Sequence, residues 1–514
     1  MEREIIYKEN KAFVLEYLKQ GMVDYFDFSS WPFQDHFFAF LLSTHFFSEC
    51  ANTYPNPRKK QEVPLWILLV CEILLKLHTT SSHSRLPGIL KSGPILSRIK
   101  FNLQVNPNGG FNNKNKKKRD VVLHHDSVRK FFKATEPDKL RRWYNNDFIR
   151  FLRRKRAFDK QGIFLLDQSH IVVPRNRNYI GVDYLLVDEF GHRIDTTGMS
   201  VEARKSLKSR PCYTVSEIVH VNKYDQCAIV SGYDWGGGKE DELPQARRMV
   251  DMFVNSVGKG VMKILVVDRG YIDGAFITYV KQKYNIDVVV PLRKNMEMLR
   301  FGIQLARSDL CPDNWKVYQT YVKNHTTYTE EVICIPDTYT WDECDVMLHL
   351  SLMRVISSDE NEEPVYWGLA TTYKPKNVKD IFDTYKLRSK IEERYRQHKH
   401  FWNLHKFSSP SISLMETHVA FTLMTYSLLQ LFLNKRHLTD LANKTIETLR
   451  EEQKLGKDSV IVYKKNNFAV LDFDFYTELI ADMPYEGRKK IKERIQQLRK
   501  MFHQRGPSNE VSSQ

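Results

Sequence analysis

The spacing of apolar and polar positions changes along the chain. Residues 1–157 show helix-like spacing with many aromatic side chains, interrupted by polar breaks. From Gly162 onward, three successive segments rich in Val and Ile, GIFLLDQSHI, CYTVSEIVHV and CAIVSGYDW, predict strands. A helix, a strand, a second helix and the strand IDVVVPL are predicted next. This order indicates an α/β fold in which the later strands run parallel within a mixed sheet.

The predicted order of strands and helices matches a ribonuclease-H-like core, and further patterns divide the rest of the chain. Alternating segments between residues 295 and 371 predict a β-rich insertion, after which helix-like spacing returns. We expect a ribonuclease-H-like mixed sheet with this insertion, flanked by helical N- and C-terminal domains. The expected segments are a basic helical N-terminal region (1–157), the first part of the core (158–294), the insertion (295–371), the second part of the core (372–436) and a basic helical C-terminal region (437–514).

Charge and cysteine content narrow the class of protein. The 514 residues include 78 Lys and Arg against 62 Asp and Glu, a net charge of +16. This surplus favours a polyanionic partner, although a generally basic protein without one is an alternative. The seven cysteines are scattered without zinc-ligand spacing, which favours reduced thiols in a cytoplasmic protein over disulfides or a structural metal.

Neither the start of the chain nor its apolar runs predict a secretory signal or a membrane span. The opening segment, MEREIIYKENKAF, mixes charges of both signs. The run PLWILLVCEILLKL is too short for a span, and LMETHVAFTLMTYSLLQLFL contains Glu416 and His418. We therefore expect buried helices at both places and no membrane partner.

Two aspartates stand where predicted buried strands end. Asp167 follows the apolar run IFLL, and Asp268 follows ILVV. Open α/β sheets place their active sites at the carboxyl ends of such strands. Taken singly, each aspartate could instead be a turn former. Because Glu392 lies on a helical segment that follows the insertion, three carboxylates can converge in this fold.

The segment YKLRSKIEERYRQHKHFW, residues 385–402, predicts one helix with a polar face. At about 100° per residue, four polar side chains share that face: Tyr385, Arg388, Glu392 and Lys399. An apolar stripe beside them would dock the helix; its members are Leu387, Ile391, Tyr395 and Trp402. The competing interpretation is a solvated helix surface with Glu and Lys pairs.

Converging carboxylates without Cys or His partners favour hard cations. Mg²⁺ and Mn²⁺ prefer oxygen ligands, whereas zinc sites typically use Cys and His. Two such ions about 3.5 to 4 Å apart can activate a water or a 3′-hydroxyl and stabilise the leaving oxygen of a phosphodiester. Together with the basic composition, this makes phosphodiester chemistry on nucleic acid the leading hypothesis.

The same residues resemble the DDE transposases of bacterial insertion sequences. The branch in question has the signature Tyr-x2-Arg-x3-Glu-x6-Lys, and every spacing is kept at Tyr385, Arg388, Glu392 and Lys399. The segments LLDQSHI around Asp167 and VVDRGYID around Asp268 resemble the strands that carry the family's two catalytic aspartates. The resemblance covers roughly residues 160 to 410.

This resemblance assigns roles to individual residues. It implies that Asp167, Asp268 and Glu392 are catalytic and hold two Mg²⁺ or Mn²⁺ ions. It implies that Tyr385, Arg388 and Lys399 contact DNA, which agrees with the affinity of Arg and Lys for phosphates and the stacking face of Tyr. In relatives of this branch an aromatic residue of the insertion braces a flipped base. The candidates are Trp315, Trp341 and Trp367, and the apolar strand pattern around Trp367 is better explained by a core position.

The resemblance also implies partners. Residues 1–157 would be the DNA-binding region that recognises the transposon ends, and a homodimer would hold two ends together on double-stranded DNA, including target DNA. The reaction would be cut-and-paste transposition, with a hairpin on the transposon end as one route, in the bacterial cytoplasm at the nucleoid. Two alternatives are a transposase-derived DNA-binding regulatory protein without catalysis and another ribonuclease-H-like nuclease such as a resolvase. The complete carboxylate set argues against the first, and the signature and large insertion argue against the second.

Overall fold

The computed structural model of the chain contains two compact units. The residues it describes are 8–29, 32–59, 63–89, 124–189, 191–308, 314–338, 341–359, 361–452 and 459–503. One unit combines the two ends of the chain, Met1–Thr135 and Lys444–Gln514, and the other spans Glu136–Asn443. All six predicted site residues belong to the second unit. The division of the chain into five functional segments stays a prediction.

The unit formed by the chain ends contains a small sheet as well as helices. Its helices are α1 (Lys11–Lys19), α2 (Pro32–Ser43), α3 (Phe46–Thr53), α4 (Leu65–Leu77), α5 (Leu86–Ile89), α6 (His125–Ala134), α16 (Ile446–Glu451), α17 (Phe473–Ala481) and α18 (Tyr485–His503). Its strands are β1 (Lys8–Glu9), β2 (Tyr25–Phe28), β13 (Ser459–Lys464) and β14 (Asn467–Asp472), ordered β1-β14-β13-β2. Val14, Leu18, Val462 and Leu471 belong to its buried core. The prediction of helical flanking regions omitted these four strands.

A mixed sheet organises the second unit. Its strands are β3 (Ile163–Val172), β4 (Asp183–Leu185), β5 (Arg210–Val221), β6 (Ala228–Gly237), β7 (Ile264–Val267), β8 (Asp287–Pro291), β9 (Lys316–Lys323), β10 (Thr326–Thr338), β11 (Leu348–Ser357) and β12 (Val365–Thr371). Strands β3, β7 and β8 are parallel neighbours, and β5 and β6 continue the sheet in antiparallel order beyond β3. This arrangement confirms the predicted α/β fold with a ribonuclease-H-like mixed sheet.

The β-rich segment after β8 extends this same sheet. Strand β12 pairs antiparallel with β8, where Leu369 lies opposite Pro291. Strands β11, β10 and β9 then follow in antiparallel order. Because antiparallel strands need only short connections, the chain can build this extension locally and return to the core through β12.

Helices of the second unit cover the sheet. They are α7 (Pro137–Trp143), a π-helical turn (Tyr144–Phe148), α8 (Ile149–Arg154), α9 (Val201–Ser206), α10 (Glu242–Val257), α11 (Gly274–Tyr284), α12 (Glu297–Ala306), α13 (Val378–Lys386), α14 (Ser389–His400) and α15 (Ile412–Lys435). Helix α15 is buried along most of its length, and Glu416 within it pairs with Arg141. No helix among the described residues is both long enough and apolar enough to cross a membrane.

The prediction of one helix over residues 385–402 was wrong, because the chain divides there into α13 and α14. The backbone N–H groups of Leu387, Arg388, Lys390 and Ile391 each bond to the carbonyl three residues earlier instead of four. The Thr384 hydroxyl also donates to the carbonyl of Asp380 at 2.7 Å, a contact that bends helices. Tyr385 therefore lies on α13, Arg388 lies between the helices, and Glu392 and Lys399 lie on α14.

Candidate active site

The register of two parallel strands places Asp167 beside Asp268. Strands β3 and β7 pair from Ile163↔Ile264 to Leu166↔Val267, and the two aspartates follow the last pair. Strand β3 itself continues to Val172 against β5, so Asp167 does not end its strand as predicted. It lies where the parallel pairing stops, a position that leaves space beside the strand for a side chain to reach solvent.

Helix α14 brings Glu392 toward these aspartates, and several buried polar contacts fix that helix on the sheet. The Tyr395 hydroxyl donates to the backbone carbonyl of Asp167 at 2.5 Å. His398 Nδ1 lies 3.0 Å from Glu217 Oε1, with both side chains fully buried. Lys390 Nζ donates to the carbonyls of Asn222 and Asp225 at 2.6 and 2.7 Å. The sequence predicted Tyr395 only as part of an apolar stripe and missed its hydroxyl contact.

Arg388 joins the three predicted catalytic carboxylates, called here the carboxylate cluster (Asp167, Asp268 and Glu392). Its guanidinium nitrogens lie 2.7 Å from Glu392 Oε1, 3.0 Å from Asp268 Oδ2 and 3.9 Å from Asp167 Oδ2. The side chain of Glu392 is 56% exposed, whereas that of Asp167 is 17% exposed. The structure thus brings four of the six predicted site residues together: three carboxylates surround the guanidinium of Arg388.

Electrostatics within the cluster reflect burial and excess acid. Burial raises the pKa of the Asp167 carboxyl to about 7, the neighbouring Asp268 adds to the increase, and the Gln168 N–H and Arg388 oppose it. Burial opposes the charge of Arg388, yet Asp268 and Asp167 raise the pKa of its guanidinium. Shifted pKa values of this kind, caused by burial together with neighbouring charges, are typical of functional sites.

The remaining two predicted residues lie at different distances from the cluster. Tyr385 is half-buried beside it, and burial raises the pKa of its hydroxyl, with Asp268 adding to the increase. Lys399 lies about two turns further along α14 and is 9% exposed. Burial lowers the pKa of Lys399 to about 8, although Asp188 and Glu217 partly offset that effect. Lys399 is therefore a buried cation rather than part of the open polar face predicted.

A cavity of about 420 Å³ opens next to the carboxylate cluster. Arg388 and Glu392 line it on one side, and aromatic side chains line another part of its wall. Trp367 is one of these and packs edge-on against Phe382, with ring centroids 5.2 Å apart, and beside Tyr385 at 6.2 Å. The prediction that Trp367 belongs to the core was wrong, since the ring is only partly buried. Trp315 instead stacks with Arg354 at 4.3 Å.

The donor set suits a hard cation. Within the described ranges, no three Asp, Glu, His or Cys side chains are grouped closely enough to hold a metal ion, and Arg388 lies among the carboxylates instead. All the acidic groups there offer oxygen ligands, and the space between them accepts positive charge. These properties fit Mg²⁺ or Mn²⁺ better than zinc.

The mixed sheet is that of a ribonuclease-H-like protein. Its candidate site lies where the parallel pairing of β3 with β7 ends. The family model described as transposase DDE domain matches residues 159–428, just over half of the 514 residues. The chain therefore belongs to the DDE transposase family, and this membership supports a transposase function. A search of curated proteins finds no match.

Proposed function

We propose that this protein is an active transposase that binds the terminal inverted repeats of its element and cuts and joins DNA strands. The observation that carries the proposal is the convergence of Asp167, Asp268 and Glu392 on the guanidinium of Arg388. The signature Tyr-x2-Arg-x3-Glu-x6-Lys further supports placement in the corresponding branch of bacterial insertion-sequence transposases. In that branch the reaction is cut-and-paste transposition, with a hairpin on the transposon end as the proposed intermediate.

The carboxylate cluster would hold two divalent ions, Mg²⁺ or Mn²⁺. Such ions, when bound, activate the attacking water or 3′-hydroxyl and stabilise the leaving oxygen. The protein's own contribution is to fix the carboxylates: β3 and β7 place the two aspartates side by side, and the Tyr395 hydroxyl ties α14 to the backbone of Asp167. Two paired strands and a packed helix thus hold the carboxylates near one another, and metal binding would require Arg388 to leave the space between them.

Arg388 links the metal site to DNA in this proposal. While the guanidinium pairs with three carboxylates, it competes with divalent ions for the same oxygens. Arginine binds phosphate through the same paired hydrogen bonds that it makes with carboxylates. A phosphate of the transposon end would therefore draw Arg388 away from the cluster and leave the carboxylates free to hold metal.

The cavity beside the cluster is suited to an unstacked base. Trp367 and Tyr385 provide flat faces in its wall, and Glu392 and Arg388 border it. A base taken out of the DNA stack can be stabilised by stacking between or on aromatic side chains. We propose Trp367 as the aromatic residue that braces the flipped base, with Lys399 and Arg388 near the flanking phosphates.

The remaining parts of the proposal concern assembly. The net charge of +16 supports binding of double-stranded DNA at both transposon ends and at the target. Residues 1–157 are proposed as the end-recognition region, and a homodimer on DNA would bring two ends together.

The direct test is cleavage of a labelled DNA that carries the element's terminal repeats, with Mn²⁺ or with EDTA. Glu392→Gln should bind the repeats normally and lose cleavage by roughly 100- to 1000-fold, the equivalent of several kcal/mol of metal-dependent stabilisation. Glu393→Gln is the matched control, because Glu393 is on the same helix and pairs with Arg396 at 2.7 Å.

Retained cleavage in Glu392→Gln would remove Glu392 from the active site. Specific binding by the unmodified protein without metal-dependent cleavage would instead favour the regulatory alternative, a DNA-binding protein derived from a transposase.

A further inference from the structure

A fourth carboxylate, Glu242, approaches the cluster from helix α10. Glu242 is the first residue of that helix, which Asp241 caps by accepting a hydrogen bond from the backbone of Leu243. One turn later, Gln245 Oε1 accepts hydrogen bonds from Gln168 Nε2 at 3.0 Å and from Ser216 Oγ at 2.6 Å. Because residues three apart share a helix face, these bonds hold the Glu242 face of α10 against the sheet beside Asp167.

Gly270 gives the Glu242 carboxylate room to reach the loop that carries Asp268. A Cβ atom at Gly270 would lie 2.2 Å from Glu242 Oε2, and its three nearest neighbours would all be atoms of the Glu242 side chain. Gly270 follows Asp268 by two residues in the turn after β7. The glycine at this position therefore allows Glu242 to lie directly against that turn.

Tyr271 provides an independent sign that a ligand belongs between these acids. Its side chain is 1% exposed, and its hydroxyl has no hydrogen-bond partner among the described residues. Burial raises the pKa of this hydroxyl well above its ordinary value, and Asp167, Glu242 and Asp268 each add to the increase. A buried hydroxyl without a partner is unfavourable, and a metal-bound water would satisfy it.

The charge balance points to the same conclusion. Four carboxylates, those of Asp167, Asp268, Glu392 and Glu242, influence one another or share Arg388. Two guanidinium groups oppose them, Arg388 in direct contact and Arg193 acting on Glu242. The group therefore has two more acidic than basic side chains, a surplus that bound divalent cations would offset.

We propose that Glu242 is a fourth acidic residue of the metal site, holding a divalent ion together with Asp167 and Asp268. The proposal rests on the function proposed above and names a residue outside the three-carboxylate signature. Tyr271 would act beside it as a positioning residue, donating its hydroxyl proton to a carboxylate or to a water of the site.

The test measures Mn²⁺ binding to the full-length protein by electron paramagnetic resonance of the free ion, without DNA cleavage as a readout. Glu242→Gln should weaken Mn²⁺ binding by roughly 10- to 100-fold. Glu240→Gln is the matched control, because Glu240 is two residues away and pairs with Arg248 at 2.7 Å. Gly270→Ala should weaken binding as well, since the added methyl group displaces the Glu242 carboxylate without removing its charge.

Thermal unfolding of the same proteins separates a metal ligand from a structural residue. Burial raises the pKa of Glu242, which means that the charged carboxylate is less favourable in the folded than in the unfolded protein. In the absence of metal, Glu242→Gln should therefore not lower the melting temperature. Added Mn²⁺ should raise the melting temperature of the unmodified protein and of Glu240→Gln, but much less that of Glu242→Gln.

Asp268→Asn distinguishes the two proposals. If Asp268→Asn weakens Mn²⁺ binding while Glu242→Gln behaves like Glu240→Gln, the role of Glu242 is refuted and the metal site stands. If neither variant alters Mn²⁺ binding, the metal site itself is refuted. Weaker binding in Glu242→Gln and Gly270→Ala, with folding intact, supports the assignment.

Discussion

Two charged clusters in the unit Glu136–Asn443 differ in how completely their polar groups are paired. Arg141 contacts Glu416 through two nitrogens, at 3.3 and 2.7 Å, and Asp234 at 2.7 Å. Glu416 is fully buried and also accepts hydrogen bonds from Tyr233 and Trp235. In the carboxylate cluster, by contrast, one guanidinium serves three acids, and its Nε atom is buried without a hydrogen-bond partner among the described residues.

The difference separates a structural ion pair from a site prepared for a ligand. A buried ion pair that is also fully hydrogen-bonded fixes the relative orientation of the helices and strands that carry it. Here these elements are α7, β6 and α15. An acidic group with surplus charge and unpaired buried atoms is incomplete by itself. The unpaired Nε of Arg388 is a donor and would be satisfied by an acceptor such as a phosphate oxygen, whereas the three carboxylates that share one guanidinium carry the acidic surplus that the proposed cations would offset.

The largest expected effect is on the fully paired cluster. Arg141→Met would leave Glu416 and Asp234 buried without their cation, and should lower the free energy of unfolding by about 3–5 kcal/mol. Urea denaturation followed by tryptophan fluorescence measures this change. Arg142→Met provides the control, because Arg142 is exposed at the neighbouring position. A small loss of stability in Arg141→Met would erase the distinction between the two clusters.

Burial lowers the pKa of the Lys399 ammonium group, and replacing this side chain by Met should therefore stabilise the fold at neutral pH. Because the pKa of Lys399 is lowered to about 8, keeping this side chain charged at pH 7 disfavours the folded state. Lys399→Met should therefore raise the free energy of unfolding at pH 7 by up to roughly 3 kcal/mol. Between pH 8 and about 10.4, Lys399 of the unmodified protein is deprotonated in the folded state but still protonated in the unfolded state. The free energy of unfolding of the unmodified protein therefore rises over this range, and the difference from Lys399→Met becomes smaller.

The measurement is urea denaturation of both proteins at pH 7 and pH 9.5, with Lys399→Arg as the charge-retaining control. A loss of stability in Lys399→Met that persists at both pH values would mean that the ammonium group makes a favourable buried contact.

Arg388→Met should affect metal binding in the direction opposite to a ligand variant. Loss of the competing guanidinium should tighten Mn²⁺ binding without DNA by roughly tenfold, about 1.4 kcal/mol, while binding of the terminal repeats weakens. Paramagnetic resonance of free Mn²⁺ and a filter-binding assay measure the two effects. Arg396→Met is the control, since Arg396 pairs only with Glu393 in the same helix among the ion pairs described. Weaker Mn²⁺ binding in Arg388→Met would contradict the competition.

The effect expected at Trp367 is similar in size to that at Arg388. If this ring braces a flipped base, Trp367→Ala should shift the flipping equilibrium at the transposon end toward the paired base by about 1–2 kcal/mol, which permanganate oxidation of a thymine placed there measures. Trp315→Ala is the control, because Trp315 packs on Arg354 and Tyr366. Equal effects of the two substitutions would argue against a specific role for Trp367.

The succession of strands and helices in the core, and the position of Asp167 and Asp268 near one edge of the sheet, could be predicted from the sequence because both depend on local apolar runs and on parallel strand packing. Glu392 is harder to place, since the whole insertion separates it from Asp268: the polar face of its helical segment marks it as a candidate, and the family signature assigns its role. The break between α13 and α14 escaped prediction because neither Pro nor Gly marks it. Tertiary contacts also determine the burial of Lys399 and the multiple pairing of Arg388.

The hairpin of β13 and β14 shows a signal that was present but overlooked. The segment SVIVYKKNNFAVLD contains two apolar runs around a polar turn, and Lys465 adopts a left-handed φ of 51° there. Helix-like and basic segments flank this hairpin in the C-terminal region. Short strands in such a context are distinguishable only by their alternation.

The central claim is that residues far apart in sequence form one metal site. Iron-directed hydroxyl-radical cleavage of the protein backbone tests this claim. Fe²⁺ would replace Mg²⁺ in the full-length protein bound to a transposon end, and ascorbate with peroxide would generate hydroxyl radicals at the bound iron. Mass spectrometry should then find backbone cuts near Asp167, Asp268 and Glu392 together, all of them lost in Asp268→Asn. Cuts near only one of these residues, or cuts that persist in Asp268→Asn, would contradict a shared metal site.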